Sequence, residues 1–153
     1  MLATPHLLAG AAVASSGLPP DISLPLCFLS HFVLDAIPHF ETSAVFIKFR
    51  KLEDEMTQPE IVYAFFDVLI GSGLVLYFYF LHHNPLILWG AFLALLPDIV
   101  DNVPFWYGIR KFPVFKQLHQ VHDFVHFTLD PQHWFWGIFT QVIILGISIY
   151  FLV

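Results

Sequence analysis

Residues Ile61 to Leu81 read IVYAFFDVLIGSGLVLYFYFL, with one charged side chain, Asp67, in a run that is otherwise apolar, aromatic or small. A helix that crosses the hydrocarbon core of a bilayer needs about 20 mostly apolar residues, and this run supplies them. Leu86 to Phe105 and His133 to Val153 are of the same kind. Ile22 to Phe40 is long enough, though polar near its end. Pro5 to Ser16 is shorter and rich in Ala and Gly, which suits a partial span packed inside a bundle, because small residues let helices approach closely. The expected fold is therefore an all-α, polytopic membrane helix bundle, one domain over residues 1–153, with about five hydrophobic segments.

Composition points the same way. Hydrophobic residues make up 58% of the chain and charged residues 12%, with a mean hydropathy of +0.73. A soluble domain carries about 25% charged residues, so half the usual charge is on hand to meet water. Six Lys and Arg against a net charge of −6 make a poor phosphate-backbone surface and exclude nucleic acid as a partner. The lone cysteine, Cys27, sits in an apolar run and can form neither an internal disulfide nor a thiolate cluster. The N-terminus has no basic n-region or clear cleavage site, so the first helix is expected to be retained.

Turn chemistry divides the segments. Thr4-Pro5, Asn84-Pro85 and Asp130-Pro131 each place a capping side chain before a proline at a first helical position. Thr57 and Glu60 fit a capping box around Pro59. All six basic residues fall in two polar stretches: Lys48, Arg50 and Lys51 within Glu41 to Glu60, and Arg110, Lys111 and Lys116 within Trp106 to Asp130. With five alternating segments both stretches share one side, which the positive-inside rule makes cytoplasmic. The expected location is a bacterial-type plasma membrane, multi-pass, with the N-terminus inside and the C-terminus outside.

The polar residues within this apolar chain carry the chemistry. His31, Asp35 and His39 are spaced four apart and would form a stripe on one helical face, with Pro38 able to shift His39. Asp67 is an acid inside an apolar segment, costing about 2.5–3.5 kcal/mol on insertion scales, and should face the bundle interior. Asp98 and Asp101 close the fourth segment, while His119, His122 and His126 fall on one face of an amphipathic helix expected on the cytoplasmic side. His6 opens the first helix. Under the alternating topology nearly all of these collect in the inner half of the membrane. Taken singly, each reads more simply as a hydrogen-bonded core histidine, a helix end or a solvated face. Taken together, His6, His31, Asp35, His39, Asp67, Asp98, Asp101, His122 and His126 make a candidate set of ligands for a divalent metal. Imidazole with carboxylate suits zinc first, with manganese or magnesium as alternatives. His119 or Asp123 is the candidate general base.

Thr4-Pro5-His6, His31-x-x-Leu34-Asp35, Leu96-Pro97-Asp98-x-x-Asp101 and the His119 to His126 cluster resemble the motifs of the YdjM-like bacterial membrane-bound metal-dependent hydrolases. In this chain Pro5 splits the Thr-His pair, one extra residue precedes the second Asp, the His-rich element lacks its Arg and its Thr-His-Ser ending, and the His-x-x-x-Asp element comes early. The His-x-x-x-Asp stripe is also similar to one in all-helical zinc phospholipases C. The resemblance implies a hydrolase. With a His/Asp set at a membrane face, the expected substrate is a phosphoester of a lipid or lipid-linked molecule, and the expected partners are membrane lipids, with the oligomeric state open. An ion- or proton-coupled transporter and a structural membrane protein are the alternative readings. There is no Gly-x-Ser-x-Gly or P-loop motif, so nothing supports a serine hydrolase or NTPase.

Overall fold

Prolines and small polar residues set most of the helix boundaries. The computed structural model describes residues 1–41, 57–102, 108–109 and 111–153. Lys48, Arg50, Lys51, Glu53, Asp54, Glu55, Phe105, Trp106 and Arg110 lie outside the described residues. The described chain forms α1 (Ala3–Ala14), α2 (Pro20–Asp35), α3 (Gln58–His82), α4 (Leu86–Asn102), α5 (Pro113–Val125) and α6 (Trp134–Leu152), with a 3₁₀ turn at Pro131–His133 before α6. The expected all-α architecture is present, and the His-rich helix is α5.

Among the described residues two stretches are long and apolar enough to cross a membrane, α3 with 25 residues and Pro131–Leu152 with 22, fewer than the about five hydrophobic segments expected. The others fall short in length. At 1.5 Å per residue, the 12 residues of α1 span about 18 Å and the 16 of α2 about 24 Å, against a hydrocarbon core of about 30 Å. The described part of α4, with 17 residues, reaches about 26 Å. The run from Ile22 to Phe40 is cut short because Pro38 disfavours helical backbone at Ile37, so α2 stops at Asp35.

The short α1 is the central element. It packs against α2, α3, α4 and α6. Leu7, Leu8, Ala11 and Ala12 meet Val75 and Phe78 from α3, Ile87, Ala91 and Leu95 from α4, and Leu152 from α6. Its small residues allow this. A Cβ on Gly10 would collide with the Gly90 carbonyl oxygen and come within 2.5 Å of the Ala94 Cβ. The outer surface is apolar in turn, with Phe65, Phe66, Leu69, Ile70 and Phe80 of α3 and Phe135, Ile143, Ile147 and Phe151 of α6 exposed.

The start of α1 departs from the local capping expected at Thr4-Pro5. Its first N–H groups are satisfied from α3 instead: Asp67 accepts from the Ala3 N–H, and from the Thr4 hydroxyl at 2.6 Å. Asn84 does cap α4, its Oδ1 accepting the Leu86 N–H at 3.0 Å, and Glu60 accepts the Thr57 N–H at 2.6 Å. At the far end of the bundle, His82 Nε2 donates to the Leu152 carbonyl at 2.6 Å and ties α3 to α6.

Candidate metal centre

Asp35 ends α2 fully buried, and histidines from three directions meet its carboxylate. Its Oδ2 lies 3.0 Å from His31 Nε2 and 3.0 Å from His122 Nε2. The two Nε2 atoms are 3.2 Å apart. Asp98 Oδ1 stands beside the group, 3.7 Å from His31 and 3.6 Å from His122. α2 supplies His31 and Asp35 one turn apart, α4 supplies Asp98, and α5 lays His122 over them.

The hydrogen bonds on the far side of each ring decide which nitrogen is free. His31 Nδ1 is 2.8 Å from the Ala94 carbonyl oxygen, which can only accept, so Nδ1 carries the proton. His122 Nδ1 donates in the same way to Asp101 Oδ2 at 2.9 Å. In the neutral rings, both Nε2 lone pairs then point at each other and at a carboxylate. A proton on His122 Nε2 relieves part of this, and the group favours one. Burial by itself would lower the His122 pKa, but hydrogen bonds to Asp101 and Asp35 and the Asp98 charge raise it from 6.5 to about 10. That proton still leaves His31 Nε2 facing Asp35 Oδ2, acceptor to acceptor. A divalent cation relieves every such contact at once. Ligands about 2.0–2.1 Å from a tetrahedral zinc stand about 3.3 Å apart, which the observed 3.0–3.7 Å separations bracket. The buried His and Asp side chains could therefore hold a metal ion, and among the described residues three donor groups meet the distance requirement: His31, Asp35 and His122; His6, His31 and Asp98; and Asp35, His39 and His126.

Most of the predicted residues gather here, several in altered roles. His39 is not on the α2 stripe. It lies past Pro38 in an extended segment bridged to Thr128, with its N–H bonded to the Phe127 carbonyl at 3.2 Å. α6 grips this segment. The Thr140 hydroxyl donates to the Pro38 carbonyl at 2.7 Å, and Gln141 Nε2 to the Phe40 carbonyl at 2.9 Å. Gly137 allows the approach, since a Cβ there would run into the Phe40 backbone nitrogen and come within 2.8 Å of the His39 carbonyl carbon. His126 follows the last residue of α5 and reaches His39, Nε2 to Nε2, at 3.3 Å. His6 is buried, stacks on His31 at 4.1 Å and places Nε2 3.1 Å from Asp35 Oδ1.

Asp101 stands outside the three donor groups. It joins His122 to His119, 2.9 Å from each Nδ1, and so orients the His122 ring. Asp67 is also outside them, committed to the start of α1. Asp123, considered above as a base, is exposed and belongs to none of the groups. His119 is partly exposed and shares Asp101 with His122.

Two contributors went unassigned in the sequence. Glu41 Oε1 lies 2.9 Å from His126 Nε2 and 3.4 Å from His39 Nε2. Burial would raise its carboxyl pKa, yet the Met1 ammonium, His126 and His39 hold it well below the usual value. The signal was His39-x-Glu41 after a helix-stopping proline, because alternate residues of an extended segment share a face. The Met1 amino group is the other, 2.7 Å from both Asp35 Oδ1 and Glu41 Oε1. No protein-family model, curated protein or solved structure matches the chain.

Proposed function

We propose that this chain is a membrane-embedded, metal-dependent hydrolase acting on a phosphoester of a lipid or lipid-linked substrate at the cytoplasmic face. The observation that carries the reading is the convergence of His31, Asp35 and His122, three donors within coordination distance of one another, with Asp98 Oδ1 3.6–3.7 Å from both imidazoles. His31, Asp35 and His122 would hold a divalent ion, which would supply polarisation of a phosphoryl oxygen and a lowered pKa for bound water. Zinc suits the two-imidazole, two-carboxylate set best.

The remaining roles belong to the chain. His31 and Asp35 form the buried wall. Asp98, at 20% side-chain exposure, and His119, at 32%, stand on the open side where a headgroup would arrive. Asp101 fixes the His122 ring and leaves His119 hydrogen-bonded on one nitrogen, so that its other nitrogen can take a proton from the attacking water. The apolar outer faces of α3 and α6 support the membrane setting, since exposed apolar area on this scale marks contact with lipid or another protein. Asp35, Asp98 and the start of α1 lie at one end of the bundle, where headgroups would lie. The motif resemblance to YdjM-like hydrolases supports the reaction class.

The test is zinc-loaded protein in detergent, given vesicles of phosphatidic acid and phosphatidylglycerol, with release of phosphate or soluble headgroup measured. The expected result is release that a chelator abolishes and that falls at least about 100-fold in Asp35→Ala. Ion flux across liposomes with no hydrolysis of any phospholipid would instead support the transporter reading.

A further inference from the structure

The group around Asp35 Oδ2 uses only one oxygen of that carboxylate. The other, Oδ1, faces a second group of similar make-up. His39 Nδ1 donates to the Ile37 carbonyl at 2.8 Å, which leaves its Nε2 lone pair pointing inward. That lone pair is 3.3 Å from His126 Nε2 and 3.4 Å from Glu41 Oε1. His126 Nε2 is 2.9 Å from Glu41 Oε1 and 3.8 Å from Asp35 Oδ1. These contacts of 2.9–3.8 Å are close to the 3.0–3.7 Å of the first group, and Asp35, His39 and His126 place donor atoms within 4.8 Å of one another, with Glu41 beside both imidazoles.

We infer that Asp35 bridges two metal ions, one held by His31, His122, Asp98 and Asp35 Oδ2, the other by His39, His126, Glu41 and Asp35 Oδ1. The inference rests on the metal reading of the first group and extends it from one ion to a paired centre. Three observations support the second position. A positive group already sits there: the Met1 ammonium lies 2.7 Å from Asp35 Oδ1, 2.7 Å from Glu41 Oε1 and 3.1 Å from His126 Nε2. The bridge from His39 to Thr128 and the grip of Thr140 and Gln141 fix the His39 segment against α6 and the segment that follows α5. His6 steadies the shared carboxylate from behind through Nε2, 3.1 Å from Asp35 Oδ1. A metal entering the second position displaces the Met1 ammonium from between these acceptors. Ions sharing a bridging ligand in two-metal hydrolases stand about 3.5–4 Å apart and clamp both the attacking and the leaving oxygen of an in-line displacement. The substrate class is therefore a phosphoester whose phosphoryl group spans both ions.

The experiment loads the purified full chain with manganese(II) alone, counts metal per chain by mass spectrometry and records its electron paramagnetic resonance. The expected result is two manganese ions per chain with a spin-coupled spectrum. The double variant His39→Ala/His126→Ala should hold one ion and give an uncoupled six-line signal. One ion per chain in the unaltered protein, with Met1 keeping the second position, would overturn the inference, as would two uncoupled ions. The unaltered protein decides the matter even if the variant fails to fold. A coupled pair without hydrolysis would count against the proposed activity alone. Hydrolysis with one ion would count against the paired centre alone.

Discussion

Asp35 is the residue on which the site turns, and its neighbours assign different work to similar side chains. Asp101 touches His122 from the side away from the cluster. Asp101→Asn should therefore weaken zinc binding by about 10–100-fold, as loss of a supporting carboxylate does elsewhere, while the stoichiometry stays unchanged in a chelator competition. His122 sets the pH dependence. Its pKa in the folded, metal-free protein is raised from 6.5 to about 10, so the stabilisation from its proton is complete below about 6.5 and is lost as pH rises toward 10. Metal must displace that same proton, so zinc affinity should climb over the same window. Thermal melts of metal-free protein and zinc titrations at pH 6.5 and 9 check the two slopes, which should run in opposite directions. Asp67 behaves as a cap: Asp67→Ala should cost about 0.5–2 kcal/mol of stability and leave metal content intact.

At the scale of elements, the sequence was informative where one helix carried its own pattern. The apolar run from Ile61 to Leu81 marked α3, and Asn84-Pro85 marked the start of α4. The spacing of His31 and Asp35 placed both in one buried corner. What was not legible depends on partners distant in sequence. The cap on α1 comes from a residue more than 60 positions away. His39 departs from the α2 stripe because Pro38 ends the helix and α6 captures the next segment. Glu41 joins through that same extended segment. The length of α2 was over-read because its polar, proline-containing end was counted as span, whereas α1 is as short as expected. Glycines test the packing directly. Gly137→Ala forces a Cβ against the His39–Phe40 backbone and should cost about 1–3 kcal/mol together with weaker metal binding. Gly73→Ala meets nothing within 4 Å on the same kind of helix and should be neutral or stabilising by about 0.5–1 kcal/mol. A denaturation series on the two variants separates local space from helix propensity.

Among the described residues, a short buried helix is wrapped by longer ones whose outer faces are apolar, while the His/Asp clusters gather where the ends of α2 and α4 meet α1 and α5. This arrangement explains how buried acids persist in so apolar a chain: Asp35 and Asp101 are each held by histidines, and Asp67 by the start of α1. It also brings the membrane reading and the metal reading together, since an ion at one end of an apolar bundle would stand at headgroup level. At the heart of the proposed activity is a metal shared by His31, His122 and Asp35, with Asp98 beside them. Zinc K-edge X-ray absorption on the zinc-loaded full chain tests it most directly. The expected result is nitrogen and oxygen ligands at about 2.0–2.2 Å with the outer-shell scattering of imidazole, lost in part in His122→Ala. Failure to take up zinc stoichiometrically, or a zinc signal without imidazole scattering, would contradict it.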